Sequence, residues 1–268
     1  MGPFDASAVV ATYAGTAGQD GDTFDPSGKY SVKKQGAFAC VECAVSHGDE
    51  VMSEGGSMVS MSNNINLKVK LHGGLGASCF RCCCAGESAF FSYYSLQPGA
   101  GDRGDIMLAP AVPGEIVMLH LQGNMEWCIQ KGSFLGADTS VDIGVKMQSF
   151  AQGCCSGEGF FILRAGGQGR LLVNSYGSII RYDLAPGEVR LIDNGYLVCW
   201  TDNMDYKISK AAKSWWATIM SSEGFVTKFT GPGTIFVQTR CLKALAQALI
   251  PYLPTQGGGG GDGGGGSQ

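Results

Sequence analysis

The stretch "CFRCCCAGESAFF", residues 79–91, puts four thiols within six positions, directly before a turn and an apolar run. Clustered thiols suit a metal site, a redox site or a lipid anchor, because the thiolate is both ligand and nucleophile and the thiol accepts acyl chains. Zinc is the first of these to weigh. Cys40 and Cys43, with Cys79 and Cys82, make two C-x-x-C pairs, the spacing found inside four-thiolate zinc sites. "FACVECAV" around the first pair has the alternation of a strand, however, and residues three apart on a strand face opposite sides. Cys40 and Cys43 therefore read as small buried hydrophobes, and no metal or cofactor is assigned.

Nucleophilic catalysis by a thiolate needs a nearby His base and a group that orients it. The chain has three His: His47, His72 and His120. His120 falls in the alternating segment "IVMLHLQ", whose apolar neighbours suggest packing. No GxSxG elbow, GxxxxGK[ST] loop, HExxH pair or paired-carboxylate signature occurs, and "GGLGAS" at 73–78 has no Lys and reads as a loop. The sequence assigns no catalytic residue and reads as a protein that is not an enzyme.

The elements that must carry these residues are short strands. The chain has 268 residues, 44% of them hydrophobic and 16% charged, enough to bury a substantial core. Its net charge of −4 opposes general nucleic-acid binding, which needs a basic face to neutralise phosphates. Residues 1–28 contain no Lys or Arg and no long apolar run, and nothing approaches the ~20 apolar residues of a membrane span. These features predict reduced thiols and a cytoplasmic location.

The chain repeats itself. Segments starting at Gly48 ("GDEVMSEGGSMVSMS"), Gly114 ("GEIVMLHLQGNMEWC") and Gly187 ("GEVRLIDNGYLVCWT") begin alike. Later come "GESAFFSYYSL", "GEGFFILRAGG" and "SEGFVTKFTGP", each an acidic residue before an aromatic strand, followed by "GDIMLAP", "GRLLVNS" and "GTIFVQT". The pattern predicts an all-β chain: a flexible segment over 1–29, β units over 30–112, 113–185 and 186–241, a short C-terminal helix over 242–254 and a disordered Gly-rich tail over 255–268. Trp127 and Trp200 take corresponding places in the repeat and read as core. In "CLKALAQALIPYLP" Leu242, Leu245 and Leu249 share a face, which predicts a helix packed on the β body and ended by Pro251.

"GAFACVECAVSHGDEVMSEGGSMVSMS", "APGE" at 185–188, "TGPGTIFVQTR" at 230–240 and "LIPYLP" resemble the altered inheritance of mitochondria protein 24 family, from about Tyr30 to Pro254. The resemblance implies three tandem double-stranded β-helix units related to the tryptophan RNA-binding attenuation protein. It also implies ring-like homotrimers and, through the eukaryotic members, a role in mitochondrial inner-membrane organisation and a mitochondrial location as the alternative. It carries no catalytic residues. The leading function is a non-enzymatic oligomeric scaffold, with a ring that binds RNA or a small ligand as the alternative.

The opening thiols occupy the connection before the acidic-aromatic motif. Equivalent connections carry Phe150, Cys154 and Cys155, and then Lys210, Lys213, Trp215 and Trp216. Over residues 71–86, 144–157 and 206–222 there are five Lys or Arg and no Asp or Glu. With Phe80, Arg81, Cys82, Cys83 and Cys84, these residues form a candidate face toward a membrane surface or a protein partner. The other reading folds the same connections back into the assembly.

Overall fold

A computed structural model describes residues 23–33, 37–71, 90–130, 132–148, 160–210 and 225–253. A hairpin of β1 (Thr23–Phe24) and β2 (Tyr30–Lys33) leads into a first set of strands. That set is β3 (Cys40–Ser46), β4 (Glu50–Glu54), β5 (Met58–Met61), β6 (Ile65–Leu71), β7 (Phe90–Leu96) and β8 (Arg103–Leu108). A second set follows: β9 (Ile116–Gln122), β10 (Trp127–Ile129), β11 (Phe134–Asp138), β12 (Val141–Gln148) and the long β13 (Phe160–Asn174). The third is β14 (Ile179–Leu184), β15 (Val189–Asp193), β16 (Leu197–Thr201), β17 (Asp205–Lys210), β18 (Phe225–Thr230) and β19 (Gly233–Gln238). A single α-helix, α1 (Leu242–Leu249), closes the described chain with a 3-10 turn, Ile250–Tyr252. Among the described residues the fold is all-β with one short C-terminal helix.

One antiparallel pairing scheme recurs. The first and third strands of a set pair its last strand, and the second and fourth pair its penultimate strand. Thus β3 and β5 flank β8, while β4 and β6 flank β7. In the third set β14 and β16 flank β19, and β15 and β17 flank β18. In the second set β13 does both: its first half pairs β10 and β12, and its second half pairs β9 and β11. The third strand always slips by one residue against the last, between Met58 and Ser60, Phe134 and Gly136, and Leu197 and Cys199. A bulge repeated at one place is a built feature of the fold, since it bends the strand and re-aims its side chains.

The acidic-aromatic motif marks the penultimate strands as read, with Phe90, Phe160 and Phe225 each opening one. The other repeat signal is out of register. Gly48 and Gly187 turn the first strand into the second with φ of 82° and 78°, values that favour glycine; the matching turn in the middle set is Gly123, with φ 84°. Gly114 instead lies just before β9, a first strand. The 185/186 boundary likewise separates Ile179–Leu184 from β19, the strand it pairs along its whole length. Trp127 and Trp200 are both core, but on a second and a third strand that lie side by side rather than at one repeat position.

The starts of the three sets stand in a row. Phe38 bridges Gly114, which bridges Gly177, all in parallel. Ala39 N donates to Gly114 O (3.2 Å) and Glu115 N donates to Gly177 O (3.2 Å). Gly114 has no room for a side chain, because a Cβ there would overlap the Ser175 carbonyl.

Residues 1–29 do not form one flexible segment: Thr23–Lys29 is structured and carries part of a charged lock. Asp25, 3% exposed, accepts from Arg170 Nε (2.8 Å) and Nη2 (2.6 Å). Asp138 accepts from Lys29 Nζ (2.6 Å), Tyr30 Oη (2.7 Å) and the Arg170 backbone N–H (2.7 Å). Burial first, then the Asp138 charge, pushes the Tyr30 phenol well above its ordinary pKa, so it stays a donor. The lock fastens the N-terminal hairpin to β11 and β13, across the junction of the first two sets. Helix α1, expected to pack on the body, buries none of its residues. The Gly-rich tail over 255–268 lies outside the described residues.

Removing one partner of a buried ion pair strands the other charge, at a cost of about 3–5 kcal/mol. Asp25→Ala should destabilise the protein by that order in chemical denaturation at fixed protein concentration. A loss below about 1 kcal/mol would mean that Arg170 finds water or another partner instead.

Candidate functional site

Strand pairing continues from one set to the next. The second strand of a set pairs the third strand of the following set: β4 with β11, and β10 with β16. At the first join Met52 lies opposite Ala137, and at the second Cys128 lies opposite Trp200; all four are buried. Apolar clusters straddle both joins. Ile116, Met118, Leu135 and Leu172 of the second set pack with Val41, Cys43, Tyr94 and Ile106 of the first. Cys128 and Ile162 of the second set pack with Trp200, Phe229 and Ile235 of the third.

The same register identifies the counterparts of these residues at the two ends of the chain. On the penultimate strands Tyr93, Arg164 and Lys228 each stand between a second-strand and a fourth-strand residue. Those second-strand residues are Met52, Cys128 and Leu191, and the fourth-strand residues are Lys68, Gly144 and Lys207. Counting from the shared slip, Met61, Ala137 and Trp200 correspond on the third strands. So Leu191 is the end counterpart of Met52 and Cys128, and Met61 is the end counterpart of Ala137 and Trp200.

These two counterparts have no join. Among the described residues β15 pairs only β18, and β5 pairs only β8, so each leaves an open sheet edge. Leu191 is 45% exposed and Met61 37%, where their internal counterparts are at most 1% exposed. Val59, in the bulge, is 59% exposed, while its counterparts Leu135 and Val198 are buried. Val189 and Met58 extend the apolar edges. Open edges with apolar side chains template pairing with another strand, and the sequence reading did not single out β5 or β15 for this. The readable signal was there: "MVSM" and "VRLI" are apolar stretches at the two end sets, in positions that are core elsewhere.

The family model described as mitochondrial biogenesis AIM24 matches residues 30–240. The chain belongs to the AIM24 family. An uncharacterized protein of Streptococcus pyogenes serotype M6 is 33% identical over 234 residues, covering 85% of this chain and 92% of its own length. The X-ray crystal structure of a Streptococcus pyogenes protein superimposes with a TM-score of 0.68 at 32% identity, covering 84% of this AIM24-family chain and 99% of that one. Both relatives are bacterial.

Of the residues expected to face a membrane or partner, Phe80, Arg81, Cys82, Cys83, Cys84, Phe150, Cys154, Cys155, Lys213, Trp215 and Trp216 lie outside the described residues. Lys210 ends β17. The described strands on either side of these connections are partners: β6 with β7, β12 with β13, and β17 with β18. No helix among the described residues is long and apolar enough to cross a membrane.

Strand β3 turns Cys43 into the core while Cys40 is half-buried on the other side, as the alternation requires. Burial pushes the Cys43 and Cys199 thiols far above their ordinary pKa, so both are neutral and poorly nucleophilic at neutral pH. His120 is exposed rather than packed. Partial desolvation and then Arg170 lower its pKa, which leaves the imidazole neutral near pH 7. Among the described residues no group of three or more His, Cys, Asp or Glu is placed to hold a metal.

Proposed function

We propose that this AIM24-family protein is a homo-oligomeric scaffold, a homotrimer whose copies join head to tail, β15 of one copy pairing antiparallel with β5 of the next. The observation that carries the reading is the exposure of Leu191 and Met61, at positions buried in both internal joins. In this reading the three strand sets are equivalent double-stranded β-helix units, and the open joint repeats the two covalently linked ones. The expected register sets Leu191 opposite Met61, Ile192 opposite Ser60 and Arg190 opposite Ser62 of the next copy. Such an interface is heterologous, and it leaves no unpaired edge at these strands only when the ring closes. The function then lies in what the ring presents, and needs no catalytic group.

The finer part of the proposal is that the ring presents its basic, apolar connections to an anionic membrane. Each connection joins two strands that pair with each other, so equivalent ends gather on one face of a ring. Exposed Lys68, Lys207 and Lys228 on the flanking strands add to the acid-free composition of the connections. Basic residues near an anionic surface are worth about 1 kcal/mol each, and several copies add effective concentration. The protein should pellet with acidic vesicles, less so with added salt and less so after Trp215→Ser with Trp216→Ser. Protein that ignores such vesicles at low salt would end the membrane part of the proposal and leave the assembly part standing.

The assembly is tested by sedimentation of the full chain. Wild-type protein should run as three 28.0 kDa chains. Leu191→Lys puts an unpaired charge into the joint at a cost on the order of 3–5 kcal/mol, which raises the dissociation constant by roughly two to four orders of magnitude. Because Leu191 is exposed in the single chain, the monomer should stay folded. A wild-type monomer at micromolar concentration, or an unaltered trimer in the variant, contradicts the reading.

A further inference from the structure

Helix α1 is apolar on one side and covered by nothing described. Leu242, Leu245 and Leu249 stand three and four residues apart and are all exposed, and Ile250 and Leu253 extend the apolar surface beyond the helix. An eight-residue helix in water is marginal on propensity alone; most helical stability in proteins comes from packing an apolar face. Lys243 is the one charged residue within the helix, which carries no acid of its own to hold it in solvent.

Its place in the fold says what lies beside it. After the last strand of the second set, Ser175 pairs back to Glu115, and two residues on Gly177 opens the third set beside Gly114. After the last strand of the third set the same turn recurs: Thr239 N donates to Ser178 O (3.0 Å) and Arg240 N to Tyr176 O (3.2 Å). The next residue, Cys241, therefore stands where a following set begins. Its Sγ lies against Gly195, in the turn that leaves the open edge strand β15. A following copy joined in the same way would bring the start of its own first set, at Phe38, next to Cys241. Phe38 is a large apolar side chain left 77% exposed in the single chain.

We infer that α1 is a clasp between copies: its face of Leu242, Leu245 and Leu249 packs on the next copy beside Phe38, at the joint where no covalent link crosses. The inference rests on the head-to-tail reading and extends it from strand pairing to a second element. At the two internal joints the chain itself runs across, through residues 109–115 and 175–178. At the open joint the helix takes over that holding role. The occupant of its apolar face is thus a second copy of this chain, rather than lipid or the chain's own termini.

The experiment uses the full chain with the photo-crosslinking residue p-benzoylphenylalanine in place of Leu245, mixed as ¹⁵N-labelled and unlabelled copies, alongside Leu245→Gln with Leu249→Gln. Crosslinks should join labelled to unlabelled chains and map near Phe38. The double variant should dissociate at a concentration at least about tenfold higher than wild type, with the unfolding midpoint of its monomer unchanged. Crosslinks confined to one chain overturn the inference and identify the chain's own termini as the occupant. An unchanged ring with lost binding to acidic vesicles overturns it in favour of lipid. In both of these cases a wild-type trimer keeps the assembly reading intact, whereas a wild-type monomer overturns the two together.

Discussion

The structure depends on one pairing, that of the second strand of a set with the third strand of the next. A set by itself is a thin sandwich of short strands whose outward side chains on one end are apolar. It cannot cover them alone, and the next set supplies both the hydrogen-bond partners and the cover. Met52 against Ala137 and Cys128 against Trp200 are the centres of that cover. The residues around them differ greatly in size, from Ala137 to Trp200, so each join is packed by its own complement of side chains on a shared backbone register. The charged lock of Asp25, Arg170, Asp138 and Lys29 reinforces only the first join. The second carries its own polar set, with Arg164 paired to Glu126 and Asp202, and Cys128 Sγ donating to Asp202 at 3.0 Å.

Much of this was legible in the sequence, and the failures have physical causes. Aromatic strand starts after an acidic residue were readable because Phe90, Phe160 and Phe225 follow the same short signal. The glycine signal misled because a turn glycine announces a turn and not its place in the set: Gly114 precedes a first strand, while Gly48 and Gly187 follow one. The error puts Ile179–Leu184 in the middle unit instead of the third, and matches Trp127 to Trp200 although the two belong to neighbouring strands. The hairpin of Thr23–Lys33 was partly missed because its anchors, Arg170 and Asp138, lie more than a hundred residues away, and no local pattern reports a pairing at that distance.

The candidate site was less legible than the fold. Clustered cysteine is the conspicuous feature of the chain, and it points to the connections between strands. The open edges β5 and β15 look ordinary in sequence, and become informative only when the register makes them counterparts of buried strands. The same holds for α1. Its amphipathic spacing predicts a helix correctly, but spacing cannot say which surface receives the apolar face, and among the described residues none does.

If copies join by two different edges, β15 of one and β5 of the next, mixing two edge variants tests the joint most directly. Leu191→Lys spoils one edge of a chain and Met61→Lys spoils the other, so each variant keeps one good edge. Neither should assemble alone, and an equimolar mixture should sediment as a heterodimer with a single intact joint, unable to grow further. A mixture that stays monomeric, or either variant alone that still forms the wild-type assembly, would contradict the head-to-tail account.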